Sequence, residues 1–485
     1  MVMKNKLRIG KIGRAILNII IVAFTIAALA YLYLSNGNIL LRWLYAIITL
    51  GISGELIMLL NKFKGAYGAY MLGGKHGIGF IEWLSKKNKK VWLYLAEWGL
   101  TLSLGIAALF IFRYINKKVF ALGIVSLVLL LFLVLPYTYI SMSFLNIPQV
   151  TGKINEAIAN STIAPTPNYY GYLLDGISIA GGFATLAAGS IIYNGASILV
   201  STLSFLPTLA SGKPNYSILN SQIAGVAPIV PGITMPLAAG IAALVILLII
   251  HEFSHGVLAR IAKVRLKSVG VLLFGIIPLG AYVEPDEKEL KKLSKEKQER
   301  MFVAGIASNM LASIIFFIIM IALLPELSNV MHTYVSVVAT IPGYPANNVI
   351  APGSIILKWN NYPIENLSSF KVAAANDKPF STVSVETNKG TFIFKTNQTG
   401  KIGVYVQENY APTTLFGSFI YFIFTVAALS FLLNLLVGIV NLLPIPGFDG
   451  WQIYRLEASK KVVNALAAIV LIALILNVVP WFWSI

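Results

Sequence analysis

The sequence predicts an all-α polytopic membrane protein of about eight to nine transmembrane helices, with one small β-rich extracytoplasmic domain inserted between two of them. Three observations carry this reading. Of 485 residues, 57% are hydrophobic and only 12% charged, whereas a soluble globular chain carries roughly a quarter charged residues. Apolar runs of about 18 residues or more recur along the chain, separated by short basic segments. One stretch, 329–410, breaks that pattern with short alternating runs between Gly, Pro and Asn turns. The net charge of +18 would suit nucleic acid, but the positives cluster between apolar runs, as topology-setting loops do, so no nucleic-acid partner is expected. The chain has no cysteine, which excludes disulfides and thiolate metal ligands. Any metal must be held by His76, His251, His255, His332 or carboxylates.

The amino-terminal part, 1–140, reads as two transmembrane hairpins. Lys4, Lys6, Arg8, Lys11 and Arg14 precede the run 15–34, which is too long for a signal peptide and has no small-residue cleavage pattern after it, so it reads as an anchor. The turn Ser35-Asn36-Gly37-Asn38 leads to a second span, 39–60. Segment 61–90 carries seven lysines against one glutamate and reads as cytoplasmic; its six glycines argue against a crossing. His76 lies there and reads as a solvated loop residue. Runs 91–112 and 119–140 form the second hairpin. None of these four spans carries nameable chemistry.

Segment 141–235 is nearly uncharged and rich in Ser, Thr, Asn, Gly, Pro and Tyr, with glycosylation sequons at Asn160-Ser161-Thr162 and Asn215-Tyr216-Ser217. Inside it, 177–206 is apolar enough to be a fifth crossing or a glycine-rich packed helix, and a crossing is favoured. Parity is the reason: with the amino terminus inside, four spans return the chain to the cytoplasm, yet the next helix must start outside.

That next segment, 236–325, holds the chemistry. About fourteen apolar residues run from Leu237 and meet His251-Glu252-Phe253-Ser254-His255 inside the same helical stretch. Histidines four apart lie one above the other on a helix face, so both reach a single ion. Glu252 projects about 100° away from His251 and can hold a water beside that ion instead of ligating it. Three ionisable groups in a span need a partner, and a metal supplies one. The following loop, 260–300, has ten basic and six acidic residues, which places it in the cytoplasm and makes the HExxH helix run from outside to inside. Within it, 266–283 reads as short strands at the membrane surface, 288–300 as a charged surface helix, and 301–324 as the return crossing.

Segment 329–410 is then a small extracytoplasmic domain. Tyr334–Val338, Ser354–Lys358 and Thr391–Lys395 read as strands; His332 at its edge has no companion ligand and reads as structural. Segment 415–485 holds an inward span, 415–440, the sequence Asn441-Leu442-Leu443-Pro444-Ile445-Pro446-Gly447-Phe448-Asp449-Gly450, and a last span, 462–479, before the interfacial aromatics Trp481, Phe482 and Trp483.

Depth brings three of these spans together. His251 lies roughly 21 Å along its helix, about two-thirds through a ~30 Å core. Asn309, about nine residues into an outward helix, and Asp449, after an inward one, reach a similar level. For a third ligand, the metzincin continuation is absent, since Leu258 and Ile261 stand where Gly and His would. Glu284 sits in a solvated acidic run, while Asp449 stands alone in apolar surroundings and is the better candidate.

HEFSH in a span, the distant NLLPIPGFDG and an intervening strand-rich domain resemble the site-2 protease family of intramembrane zinc proteases, over 236–485. The resemblance implies His251, His255 and Asp449 as Zn²⁺ ligands and Glu252 as the catalytic glutamate. Gly275–Val283 is similar to the family's membrane-associated β-loop, which presents substrate as a strand. Ala304–Asn309 resembles its glycine-then-asparagine helix motif, although Ile306 replaces the usual proline. Asn309 and Asn441 then become catalytic candidates for holding substrate backbone or the developing oxyanion, and 329–410 a PDZ-like domain inserted in the catalytic core. The expectation is thus a multi-pass cell-membrane zinc metalloendopeptidase that cleaves membrane-anchored regulatory proteins in or near their transmembrane segments, in contact with the lipid bilayer. The alternative is a non-proteolytic multispan protein with a structural or transported metal, for which a non-ligating Glu252 has no use.

Overall fold

The computed structural model describes residues 10–35, 39–75, 77–142, 169–220, 225–226 and 229–480. Lys4, Lys6, Arg8, the Asn36-Gly37-Asn38 turn, His76, the Asn160 sequon, Trp481, Phe482 and Trp483 lie outside these residues. Among the described residues, nine helices are long and apolar enough to cross a membrane: Ile12–Leu32, Leu44–Asn61, Lys89–Ile111, Lys117–Tyr137, Gly176–Ala210, Leu237–Ile261, Lys295–Val330, Leu415–Val440 and Lys460–Val478. Each overlaps one of the nine expected runs. Large apolar side chains such as Phe24 (72%), Ile52 (58%) and Ile475 (68%) stand exposed on them. Such surfaces suit lipid, since soluble monomers rarely expose apolar patches of this extent.

The chain divides into two compact units, Met1–Phe317 with Ala428–Ile485, and Ile318–Ala427. In the first, the basic segment 61–90 is not a plain loop. It forms strands Lys64–Ala66 and Ala69–Gly74, which join Leu266–Phe274 and Ile277–Pro285 in one antiparallel four-stranded sheet, in that order. Gly73 pairs with Gly270, and a Cβ on Gly270 would stand 2.3 Å from the Leu72 carbonyl oxygen. Gly65, one of the glycines that argued against a crossing, likewise lets strands approach: a Cβ there would stand 2.1 Å from the Ala69 carbonyl oxygen. Helix Ile78–Lys86 follows and puts fully buried Ile81 against Gly256 of the HExxH helix. A larger residue than glycine at 256 would push the two apart.

The HExxH helix, Leu237–Ile261, ends where Lys263 takes a left-handed φ of 68° and donates its N–H to the Arg260 carbonyl. The expected surface helix 288–300 is two pieces, Glu287–Leu290 and Lys295–Phe302, because the backbone leaves helical geometry at Ser294, with ψ 152°, ahead of the second. Val303 separates that second piece from Ala304–Val330. The amino-terminal spans brace this corner. Arg300 Nη2 meets buried Glu97 Oε1 at 2.6 Å, Glu97 Oε2 accepts the Asn116 N–H at 2.9 Å, and Tyr114 Oη donates to Glu299 at 2.8 Å. Removing one partner of such a buried pair strands the other, a loss of about 3–5 kcal/mol. Expected span 177–206 is part of Tyr169–Ala210, broken at Gly182. Asn194 Nδ2 donates to Asn477 Oδ1 at 2.6 Å, which ties this element to the last span.

The second unit holds a six-stranded antiparallel sheet built from Met331–Thr340, Ile355–Trp359, Tyr362–Pro363, Thr382–Thr387, Gly390–Lys395 and Val404–Pro412. All three expected strand runs overlap it, with Ser354 alone left outside a strand. Alternating Val335, Val337, Val383 and Val385 face one core with Ile356 and Trp359. The helix Leu367–Ala375 packs on that core, started by a capping box between Asn366 and Ser369. Trp359 Nε1 donates to Asp377 at 2.8 Å; burial raises the Asp377 carboxyl above its ordinary range.

Candidate metal centre

Helical spacing carries His251 and His255 to one face, with ring centroids 4.9 Å apart. Their Nε2 atoms stand 3.3 Å from one another. Asp449 Oδ2 lies 3.4 Å from His251 Nε2 and 3.3 Å from His255 Nε2. Asp449 arrives there because Pro444 and Pro446 stop the preceding helix and Gly447 turns with φ 99°. Phe448 then caps a new helix, Asp449–Glu457, which carries the carboxylate in its first turn, the favourable end for an anion. Gly450 donates its N–H to the Asn441 carbonyl at 2.7 Å and Tyr454 Oη donates to the Leu442 carbonyl at 2.6 Å, closing the loop.

The three atoms form a nearly equilateral triangle. Four ligands about 2.0–2.1 Å from a tetrahedral zinc stand about 3.3 Å apart, which is the spacing observed. Asp449 Oδ2 is buried yet makes no hydrogen bond, an arrangement that costs free energy unless a cation completes it. Two imidazoles and one carboxylate are also the donor types of a three-ligand catalytic zinc site. The donor set therefore fits a zinc ion.

The surroundings orient the rings. His255 Nδ1 lies 2.8 Å from the Met301 carbonyl, beside the helix break at Val303. His251 Nδ1 faces the side-chain amide of Asn309 at 3.1 Å. Gly305 lets the helix backbone close on both histidines: a Cβ there would lie 2.4 Å from His251 Cε1 and 2.5 Å from His255 Nε2. Ile306, where the resembled motif has proline, is fully buried. Ser308 Oγ reaches the Ile250 carbonyl at 3.3 Å.

Glu252 is outside the triangle. Its Oε2 accepts the backbone N–H of Val283 at 3.1 Å, on strand Ile277–Pro285. Glu284, the other carboxylate weighed as a ligand, instead accepts from Ser268 Oγ at 2.6 Å. Just past the carboxyl end of that strand, hydrogen bonds from the Arg265 backbone and guanidinium hold the Glu289 carboxyl below its ordinary range. His332 sits in the second unit on strand Met331–Thr340, near Tyr334.

The resemblance names two asparagines as catalytic candidates, Asn309 and Asn441. Asn309 is completely buried, against His251. Asn441 meets the site through its backbone carbonyl. Sequence reasoning missed the Met301 carbonyl and the Val283 N–H, because backbone partners leave no residue-type signal. Gly305 it had only as part of a motif, without the close approach that requires it.

Residues 239–478 match the family model for Peptidase family M50. An uncharacterized protein of Methanocaldococcus jannaschii is 30% identical over 228 residues, 46% of this chain and 58% of that protein. The match thus spans little more than half of that relative's length.

Proposed function

Residues 239–478 belong to Peptidase family M50, the site-2 protease family, and from that membership we propose that the protein is an intramembrane zinc metalloendopeptidase acting on membrane-anchored proteins. The observation that carries this reading is the triangle of His251, His255 and Asp449, with an unsatisfied carboxylate oxygen at one corner. Zinc held by His251, His255 and Asp449 would supply Lewis-acid chemistry, acidifying a water and polarising the scissile carbonyl. Glu252 takes a proton from the attacking water and hands it to the leaving amine.

Val283 holds Glu252 beside strand Ile277–Pro285. Among the described residues, no strand pairs with the outer side of that strand. A transmembrane substrate must unwind locally before its peptide bond is reachable, and a strand edge beside the catalytic glutamate offers partners for the freed backbone. Segment 329–410, read as PDZ-like and extracytoplasmic, contributes none of the three ligand atoms and serves as a filter on what reaches the site. The basic loop 260–300 faces the cytoplasm. A structural or transported metal explains the triangle equally well but gives Glu252, poised outside it, nothing to do.

The test is hydrolysis of a single-span peptide by purified protein in detergent or bilayer. Cleavage that stops on chelation and returns with zinc supports the proposal. Cleavage indifferent to chelation contradicts it.

A further inference from the structure

We propose that Asn309 is a positioning residue whose amide oxygen accepts from Nδ1–H of His251 and so keeps Nε2 of that ring bare for the metal; this rests on the zinc reading above. A neutral imidazole has one N–H and one lone pair, so a ring that ligates through Nε2 must carry its proton on Nδ1. For His255 the partner settles the matter. The Met301 carbonyl, 2.8 Å from Nδ1, can only accept, so Nδ1 is the donor and Nε2 is free. His251 has no carbonyl in that place. Its Nδ1 faces the amide of Asn309 at 3.1 Å, and an amide can donate or accept.

Chemistry at the triangle decides which face of the amide is used. His251 Nε2 points at His255 Nε2 and Asp449 Oδ2, 3.3 and 3.4 Å away. If the Asn309 nitrogen donated to Nδ1, the ring proton would be forced onto Nε2, in the middle of the ligand set. The amide oxygen and nitrogen are nearly interchangeable in shape. With the nitrogen set towards His251, the Asn309 oxygen is left buried with no partner at all. Turning the amide over about its last bond gives that oxygen the Nδ1–H to accept. The pairing then matches that of His255: each ligand ring donates to a fixed oxygen.

The helix face confirms that this contact is built in. Gly305, Ser308 and Asn309 follow one another at i, i+3 and i+4 along Ala304–Val330. Gly305 admits both rings, Ser308 bonds the Ile250 carbonyl, and Asn309 meets His251. Asn309 has no solvent exposure, and its influence passes through His251.

The full chain has four histidines, so ¹⁵N-histidine labelling of the metal-free protein resolves the tautomer of each ring, and chelator competition gives zinc affinity without any substrate. Asn309→Leu keeps the volume and removes the acceptor; Asn309→Asp keeps an oxygen that can only accept. The expected result is that Asn309→Leu weakens zinc about ten- to hundred-fold and moves His251 off the Nδ1–H tautomer, while Asn309→Asp retains both. Zinc affinity within twofold of the parent in Asn309→Leu, with the tautomer unchanged, overturns the proposal. His255→Ala separates the two levels. If it loses zinc while Asn309→Leu does not, only the role of Asn309 fails. If it too binds zinc like the parent, the metal centre fails and this proposal with it.

Discussion

Glu252 Oε2 accepts the backbone N–H of Val283 at 3.1 Å, so the candidate general base is tied to the outer strand of the four-stranded sheet. A hydrogen bond to a charged group contributes about 1.5–3 kcal/mol. Val283→Pro removes the donor, and an edge strand tolerates proline where its N–H faces away from the ladder. Turnover is expected to fall about ten- to hundred-fold with zinc content unchanged. A variant that cleaves at the parent rate shows that Glu252 needs no such anchor.

The sheet itself joins the amino-terminal part to the catalytic core, through the pairing of Gly73 with Gly270. Gly270→Ala places a Cβ 2.3 Å from the Leu72 carbonyl oxygen, and overpacking of this kind costs about 1–3 kcal/mol. Thermal unfolding should show the loss, and cleavage should fall with it. Deleting residues 64–74 without harm to activity would mean that these strands are an ornament of the fold.

Topology is testable because the chain has no cysteine, so each introduced thiol is unique. Thr391→Cys in the strand-rich unit should react with an impermeant reagent on intact cells, and Lys291→Cys in the basic loop should not. Joining residue 324 to residue 415 by a short linker should leave zinc bound and an already shortened substrate cleaved. Labelling at position 291 from outside would reverse the orientation argued from loop charge, and zinc loss from the shortened protein would mean a misplaced ligand.

Much of this was legible because it is written in residue types. Nine apolar runs announce the nine long apolar helices found among the described residues, since a backbone in lipid must satisfy its own hydrogen bonds. His251, His255 and Asp449 were nameable because ionisable groups in apolar surroundings are rare, and helix direction put them at one depth. What escaped was non-local or carried by the backbone. Segment 61–90 reads as a basic loop because its strands are short, glycine-rich and two-sided, and gain their order from pairing with 266–285. The Glu97–Arg300 pair joins residues two hundred positions apart and shows no local period. Asn309 was visible, but its partner was not, so its role was drawn from the resemblance instead of from His251.

The central claim is that His251, His255 and Asp449 hold zinc while Glu252 works beside it. Metal analysis of purified Asp449→Asn and Glu252→Gln, with one cleavable membrane peptide assayed alongside, tests it most directly. Asp449→Asn should lose zinc and activity together. Glu252→Gln should keep zinc and bind the peptide while turnover falls about 10²- to 10⁴-fold, the usual loss of a general base. Parent-like zinc affinity and cleavage in Asp449→Asn, or loss of zinc in Glu252→Gln, would contradict the account.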